Sequence, residues 1–386
     1  MANMVSHTFT QAMADTMDAN LEGLVDNIIK KSFDPVPEFT GVYFPGFDMM
    51  AKLKRWVEYR NSTLPPARHI TEFDARGILE LTYKTEVPTD EYANVDYQAL
   101  KEFPMPNQRR YINVWKQDET THRVPLEAIV SHMYTEAEMQ RIKWNTESKK
   151  YAHPLDINPQ GLNVYHAEQE MLTFRWYKFG REKVLNAARD FYIELAEKEP
   201  ENREDHRLTA HIFDEMSKSI MPVSGREAAH KVYFRDMAHT GYTTNPLMMY
   251  AAIKTITHMM MPGKILFPEL QEKVPEWMEK LDPGRFEETR KEGTRLVADI
   301  IEGDDLWMGR LVRDHILENK VPAYLRGIIK SAVKIADRLG IPYTHHDPQG
   351  RFEERRVIGE VLLSKVMGKV AMIWSGYNPK QAQAKA

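Results

Sequence analysis

The sequence predicts an all-α protein, and three observations carry that reading. Apolar residues recur at helical spacing, as in Met13, Met17, Leu21, Leu24, Val25 and Ile28. No segment sustains the period-2 alternation of a half-buried strand, and no Asn-Gly or Asp-Gly pair marks a tight hairpin. Capping signals stand where helices should begin, such as Thr71 with Asp74 three residues on.

Taken in order, residues 8–30 read as an amphipathic helix. The next forty residues hold DPVPEF, YFPGF and STLPPARH, and their prolines and glycines predict loops and short helices. A helix starts after Thr71 and runs through FDARGILELTYKTEV. Arg109 to about Gln140 reads as a long helix pair or one interrupted helix. Another long helix begins at Gly161 or Leu162 and runs through NVYHAEQEMLTFRWYKFG. The segment from ARDFYIEL to DEMSKS continues as helix, loop and helix. PVSG then reads as a break, with Pro222 and Gly225 interrupting the backbone ahead of a further helix, REAAHKVYFRDMAHTGY. Helices follow over 247–261, 286–301, 321–339 and 353–374, and residues 375–386 read as a loose tail. No repeat recurs at a solenoid period. The expectation is a single helical domain over 1–386.

Composition narrows the chemistry. The chain has 386 residues, 42% hydrophobic and 28% charged, which suits a globular protein with a sizeable core. A net charge of −4 carries no polycationic footprint, so no nucleic-acid partner is expected. There is no cysteine, which excludes disulfides, thiolate zinc sites, iron–sulfur clusters and thiol catalysis. Any metal must be held by His, Asp or Glu. No apolar run has the length of a membrane span, and the N-terminal segment lacks the pattern of a secretory signal. A cytoplasmic location is expected. The 22 methionines, including HMMMPG, read first as filling for an irregular core.

Two Glu-x-x-His pairs stand out, Glu119 with His122 and Glu227 with His230. Residues three apart on a helix share a face, so each pair aims a carboxylate and an imidazole the same way. Two such helices, with one further Glu from each of two others, form the carboxylate-bridged di-iron site of ferritin-like bundles. Hard carboxylates suit oxidised iron, and one neutral imidazole per ion leaves positions open for O₂. Chance alone supplies on the order of one Glu-x-x-His in a chain of this length. The pairs therefore gain weight only with further ligands, and otherwise read as solvated helix faces.

The remaining carboxylates have candidates. Glu170 lies one turn after His166 in HAEQEMLTFRWY, with Glu168 as its competitor. In GILELTYKTEV, at roughly 100° per residue, Ile78, Leu79, Leu81 and Tyr83 define an arc with Glu86 near its middle. Glu80 and Lys84 fall on the other side, as a surface i,i+4 pair. The choice of first ligand lies between Glu86 and Glu80, and the wheel favours Glu86.

With these residues in place, the chain resembles the soluble acyl-acyl-carrier-protein desaturases, both the plant plastid enzymes and their mycobacterial relatives. Trp115 stands four residues before the first Glu-x-x-His, QEMLTF matches a Gln-Glu-x-x-Thr-Phe-like segment, and REAAHKVYF is followed by IKTITHMMMP. KSAVKIADRLGI resembles the C-terminal region, and STLP with HITEFDARGIL the mycobacterial branch. The patchy likeness runs from about 15 to 374. It implies a ferritin-like di-iron bundle with additional peripheral helices, and iron ligands at Glu119, His122, Glu170, Glu227 and His230, with Glu86 the sixth. Thr173 would be the hydroxyl that handles protons at the site, its ordinary alternative being helix packing. Trp115 would lie on the path of electrons from an external donor, although a buried Trp needs no such role.

The likeness has departures. The stretch from Glu170 to Glu227 is longer than in the family, which implies an inserted helical segment near 178–222, and a second insertion lies near 275–325. Arg226 stands where the family has an acidic residue, and superposition on the family's Pro puts Lys84 at the first ligand position. The function implied is an O₂-dependent di-iron oxidase that desaturates a fatty acyl chain on acyl carrier protein. It would use two Fe ions, or Mn with Fe, a ferredoxin-like donor and a homodimeric assembly. The acyl chain would lie along 171–177 and 247–261. Arg109, Arg110, Lys143, Lys149 and Lys150 would meet an acidic carrier. The alternatives are another di-iron outcome (hydroxylation, oxidative cleavage or N-oxidation) and a metal-free helical binding protein that kept the fold.

Overall fold

The computed structural model describes residues 9–32, 43–147, 158–244 and 267–301. The chain groups into two compact units, 1–290 and 291–386, and only 291–301 of the second fall among the described residues. Helices account for nearly all the described secondary structure, and no strand occurs among the described residues.

In order, the helices are α1 (Gln11–Ser32), α2 (Met49–Ser62), α3 (Glu72–Glu86), α4 (Thr89–Glu102), α5 (Pro106–Ser131) and α6 (Glu136–Glu147). They continue as α7 (Pro159–Gly180), α8 (Ala187–Lys198), α9 (Arg203–Thr244), the single turn α10 (Pro268–Gln271), α11 (Val274–Leu281) and α12 (Arg285–Ile301). Four of them close a ring: α3 packs on α5, α5 on α9, α9 on α7, and α7 back on α3. Outside this ring, α1 lies against α5 and α9, α4 against α5 and α7, and α8 along α9. Among the described helices, the α7–α9 contact is the most extensive.

Local chemistry explains the ring helices. Thr71 and Asp74 form a full capping box at the start of α3, each bonding the other's backbone N–H. Pro106 and Pro159 open α5 and α7 at positions where a missing N–H costs nothing. On α5, Tyr111, Ile112, Trp115, Leu126 and Ile129 face inward, each large buried side chain contributing roughly 1.5–3 kcal/mol. His132 to Thr135 end α5 ahead of α6, so Arg109 to Gln140 is a helix pair.

The structure differs from the sequence reading at several elements. PVSG does not break the chain: α9 runs through Pro222 and Gly225 as one helix of 42 residues. Pro222 forfeits one backbone hydrogen bond on a half-buried face. The packing of α9 on α7 and α8 along its length outweighs that loss. The second segment, read as loops and short helices, holds α2, a helix of 14 residues whose Met49, Leu53, Trp56 and Val57 are buried at helical spacing behind the N-cap Asp48. Helices α4 and α11 were missed. Between α7 and α8 the helix widens into a π-helical stretch, Arg181–Asn186, which no residue type announces. The helices expected over 247–261, 321–339 and 353–374, and the tail at 375–386, lie outside the described residues. No described helix is long and apolar enough to cross a membrane.

Candidate metal centre

Each ring helix brings carboxylates or imidazoles to one place. Helix α3 contributes Glu86 from its last turn, and α5 contributes Glu119 and His122. Helix α7 contributes Glu170, and α9 contributes Glu227 and His230. All six are at most 5% exposed. They form two groups, Glu86, Glu119, His122 and Glu227 in one, Glu119, Glu170, Glu227 and His230 in the other. Within each group the candidate ligand atoms lie within 4.8 Å of one another. Glu119 and Glu227 belong to both, so two ions held here would share them.

The imidazoles turn Nδ1 toward the carboxylates. His122 Nδ1 lies 2.9 Å from Glu227 Oε1 and 3.4 Å from Glu119 Oε2. His230 Nδ1 lies 2.6 Å from Glu119 Oε1 and 3.6 Å from Glu170 Oε2. Yet both Nδ1 atoms, Glu119 Oε1 and Glu227 Oε1 are buried with no aligned hydrogen bond. Buried polar groups almost always find a partner. Donors that crowd together without bonding one another are aimed at a common point, as cation ligands are. The mix of carboxylate oxygen and imidazole nitrogen suits first-row divalent ions. The residues present fit a pair of metal ions.

The electrostatics agree. Burial, with Glu119 and Glu227 alongside, pushes the carboxyls of Glu86 and Glu170 well above their ordinary range. Burial would raise Glu119 as well, but the imidazoles of His122 and His230 outweigh it and hold Glu119 well below the usual range. Burial would likewise lower His122 and His230, and Glu119 beside them reverses this, so both are raised. Four carboxylates around two imidazoles leave a surplus of negative charge that the interior tolerates only with added cations or protons.

A second layer of donors holds these groups. Trp115 Nε1 donates to Glu170 Oε1 at 3.0 Å. Tyr177 Oη donates to Glu86 Oε1. Thr173 Oγ1 reaches Glu227 Oε2 and also faces the carbonyls of Gln169 and Glu170, both at 3.1 Å. A hydroxyl has one proton, so it serves one of these three at a time. His230 Nε2 lies 2.9 Å from Asp118 Oδ2, which is also 4.0 Å from His122 Nε2 and 3.9 Å from Arg226 Nε.

The structure thus brings Glu86, Glu119, His122, Glu170, Glu227, His230 and Thr173 together in the four-helix ring. Glu168, the competitor of Glu170, is half-buried and outside both groups. Glu80 also lies outside them, but it is not the surface residue that the wheel implied. It is 7% exposed, takes an ion pair from Lys84 at 2.7 Å and accepts from Tyr134. A helical wheel places a residue on a face and cannot foresee that the α5–α6 turn covers that face. Sequence reasoning missed Asp118 and Tyr177. The signals were present: Asp118 immediately precedes Glu119, and Tyr177 lies two turns beyond Glu170 on the same side of α7.

Among the described residues the chain is an all-α bundle with two buried Glu/His clusters, consistent with a ferritin-like di-iron fold. Comparison with family models, with curated proteins and with solved structures finds no match to the chain.

Proposed function

We propose that this protein is a di-iron, O₂-dependent oxidase acting on an acyl thioester, with desaturation of a carrier-bound fatty acyl chain as its reaction. The observation that carries the reading is the pair of buried four-residue groups sharing Glu119 and Glu227. A bound iron pair supplies the oxidising power to take hydrogen from an unactivated C–H bond, which no side chain possesses. Manganese with iron suits the same donors.

The chain's own residues do the rest. Glu119 and Glu227 would be shared by both positions, and Glu86 with His122, and Glu170 with His230, would complete them. Asp118 fixes the orientation of His230 by taking its Nε2–H. Thr173 holds a proton beside Glu227 and can pass it inward. Met171, Trp176 and Tyr177 are buried on α7, the helix that carries Glu170, and would line the acyl chain, while 247–261 are outside the described residues. The outcome would follow from substrate placement to within about an ångström: loss of two adjacent hydrogens would give desaturation, while insertion of oxygen would give hydroxylation, oxidative cleavage or N-oxidation.

Acyl carrier protein, a ferredoxin-like donor and a homodimeric assembly complete the proposal. Of the basic residues assigned to the carrier, Arg110 is held by Asp26 at 2.7 Å and Lys143 lies 3.9 Å from Glu127, while Arg109 is exposed beside Tyr97. Lys149 and Lys150 lie outside the described residues.

The test is elemental analysis of protein reconstituted with Fe(II), beside a Glu227→Ala variant, followed by product analysis with acyl thioesters and a reduced ferredoxin. Close to two irons per chain, lost in the variant, and an unsaturated product support the reading. Oxygenated products would move it to the alternative outcomes. No stoichiometric metal would leave a helical binding protein that kept the fold.

A further inference from the structure

Helix α7 carries more than one ligand. Glu170, Thr173 and Tyr177 follow one another at three and four residues along one face, and each bonds a different partner at the centre. Tyr177 is wholly buried, and its hydroxyl donates to Glu86 Oε1. The other oxygen of Glu86, Oε2, is the one that faces His122 Nδ1, at 3.8 Å. Glu170 repeats the pattern: Trp115 occupies Oε1, and Oε2 faces His230. Each unshared carboxylate therefore has one oxygen tied to an aromatic donor and one turned to the centre.

A buried tyrosine hydroxyl seeks an acceptor on any account. Tyr111 shows that this core does not insist on it: its ring is equally buried on α5, and its hydroxyl has no hydrogen-bond partner. The bond from Tyr177 runs instead to the neighbouring helix of the ring, from α7 to the last turn of α3, whose C-terminal residue is Glu86. Without it, Glu86 would keep at the helix end only its contacts with Glu119 and His122.

We propose that Tyr177 is the positioning residue for one metal position only, holding Glu86 as a one-oxygen ligand beside His122, while Trp115 does the same for Glu170 at the other. The proposal rests on the metal-binding reading above and extends it to which residue addresses which ion. The hydroxyl neither touches the ion nor transfers a proton. It ties down Oε1 so that Oε2 alone is free to coordinate. An oxygen released from this bond would let Glu86 swing away or chelate through both oxygens.

The experiment is a Co(II) titration of the full chain, read by visible absorption, which reports coordination number, and by stoichiometry. Wild type should bind two Co(II). Tyr177→Phe should weaken one of them by about 10–100-fold, the usual effect of losing an outer-layer partner, and alter that ion's spectrum. Trp115→Phe should weaken the other. In a Glu86→Gln background, Tyr177→Phe should add nothing, because its effect passes through Glu86. Tyr111→Phe should change neither ion. If Tyr177→Phe does not fold, Tyr177→Met, which fills the core without a donor, takes its place and should weaken the same ion. Equal losses at both positions, an unchanged titration, or the same loss in the Glu86→Gln background would overturn the assignment. Wild type that binds no Co(II) or Fe(II) would overturn the metal reading itself, whereas two ions unaffected by Tyr177→Phe would overturn only this inference.

Discussion

His230 sits between two carboxylates of α5: its Nε2 is 2.9 Å from Asp118 Oδ2 and its Nδ1 is 2.6 Å from Glu119 Oε1. The neighbouring positions 118 and 119 thus grip opposite edges of one imidazole from α9. Hydrogen bonding at Nε2 fixes the tautomer and leaves the Nδ1 lone pair for a cation. Asp118→Asn should lower the affinity for one ion by about 10–100-fold with little change in helicity. Metal titration with circular dichroism checks this, and an affinity unchanged by the substitution would sink the orienting role.

The sharing of ligands makes a stoichiometric prediction. Glu119 and Glu227 belong to both groups, whereas Glu86 and Glu170 belong to one each. Glu119→Ala and Glu227→Ala should each lose both ions, while Glu86→Ala and Glu170→Ala should each retain one. Elemental analysis after desalting distinguishes these outcomes, and a uniform result across all four variants would contradict the shared arrangement.

The start of α3 should show as a stability effect with a defined pH range. Asp74 accepts from Trp277 Nε1 at 2.9 Å and from Thr71, and these bonds outweigh burial and lower its carboxyl below the ordinary value. A depressed folded-state pKa contributes stability above the unfolded value, about 3.9, and that contribution is lost as pH falls through the folded value. Thr71→Ala should cost about 1 kcal/mol at neutral pH. Asp74→Asn should flatten the acid limb of the denaturation profile below about pH 4. Urea melts across pH 2.5 to 7 would register both, with an unchanged acid limb counting against the role of Asp74.

At Gly77, α3 lies close against Trp277 of α11. A Cβ built there would stand 2.8 Å from Trp277 Cη2 and 2.9 Å from Cζ2. Trp277 is buried and tied to Asp74, so its ring has little freedom to retreat. Gly77→Ala gains about 1 kcal/mol of helix propensity against overpacking of about 1–3 kcal/mol. A net loss of up to about 2 kcal/mol is expected in thermal or urea denaturation. A more stable variant would show that α11 can move aside.

The sequence by itself determined the helical class, the capping box at Thr71 and Asp74, and the residue types of the centre. Those features are local: a 3.6-residue period, a cap and a Glu-x-x-His spacing each act within a turn or two of chain. Glu86 was legible for the same reason, because a wheel shows which face of α3 is apolar. What joins positions far apart was not legible. The wheel could not show that Tyr134 would cover Glu80, nor that packing on α7 and α8 would carry α9 through Pro222 and Gly225. Only the tertiary structure decided that Glu119 and Glu227 serve both groups, that Asp118 reaches His230 across 112 positions, and that Tyr177 reaches Glu86 across 91. Such contacts depend on how four helices register side by side, and that register is set by the whole buried surface rather than by any short stretch of sequence.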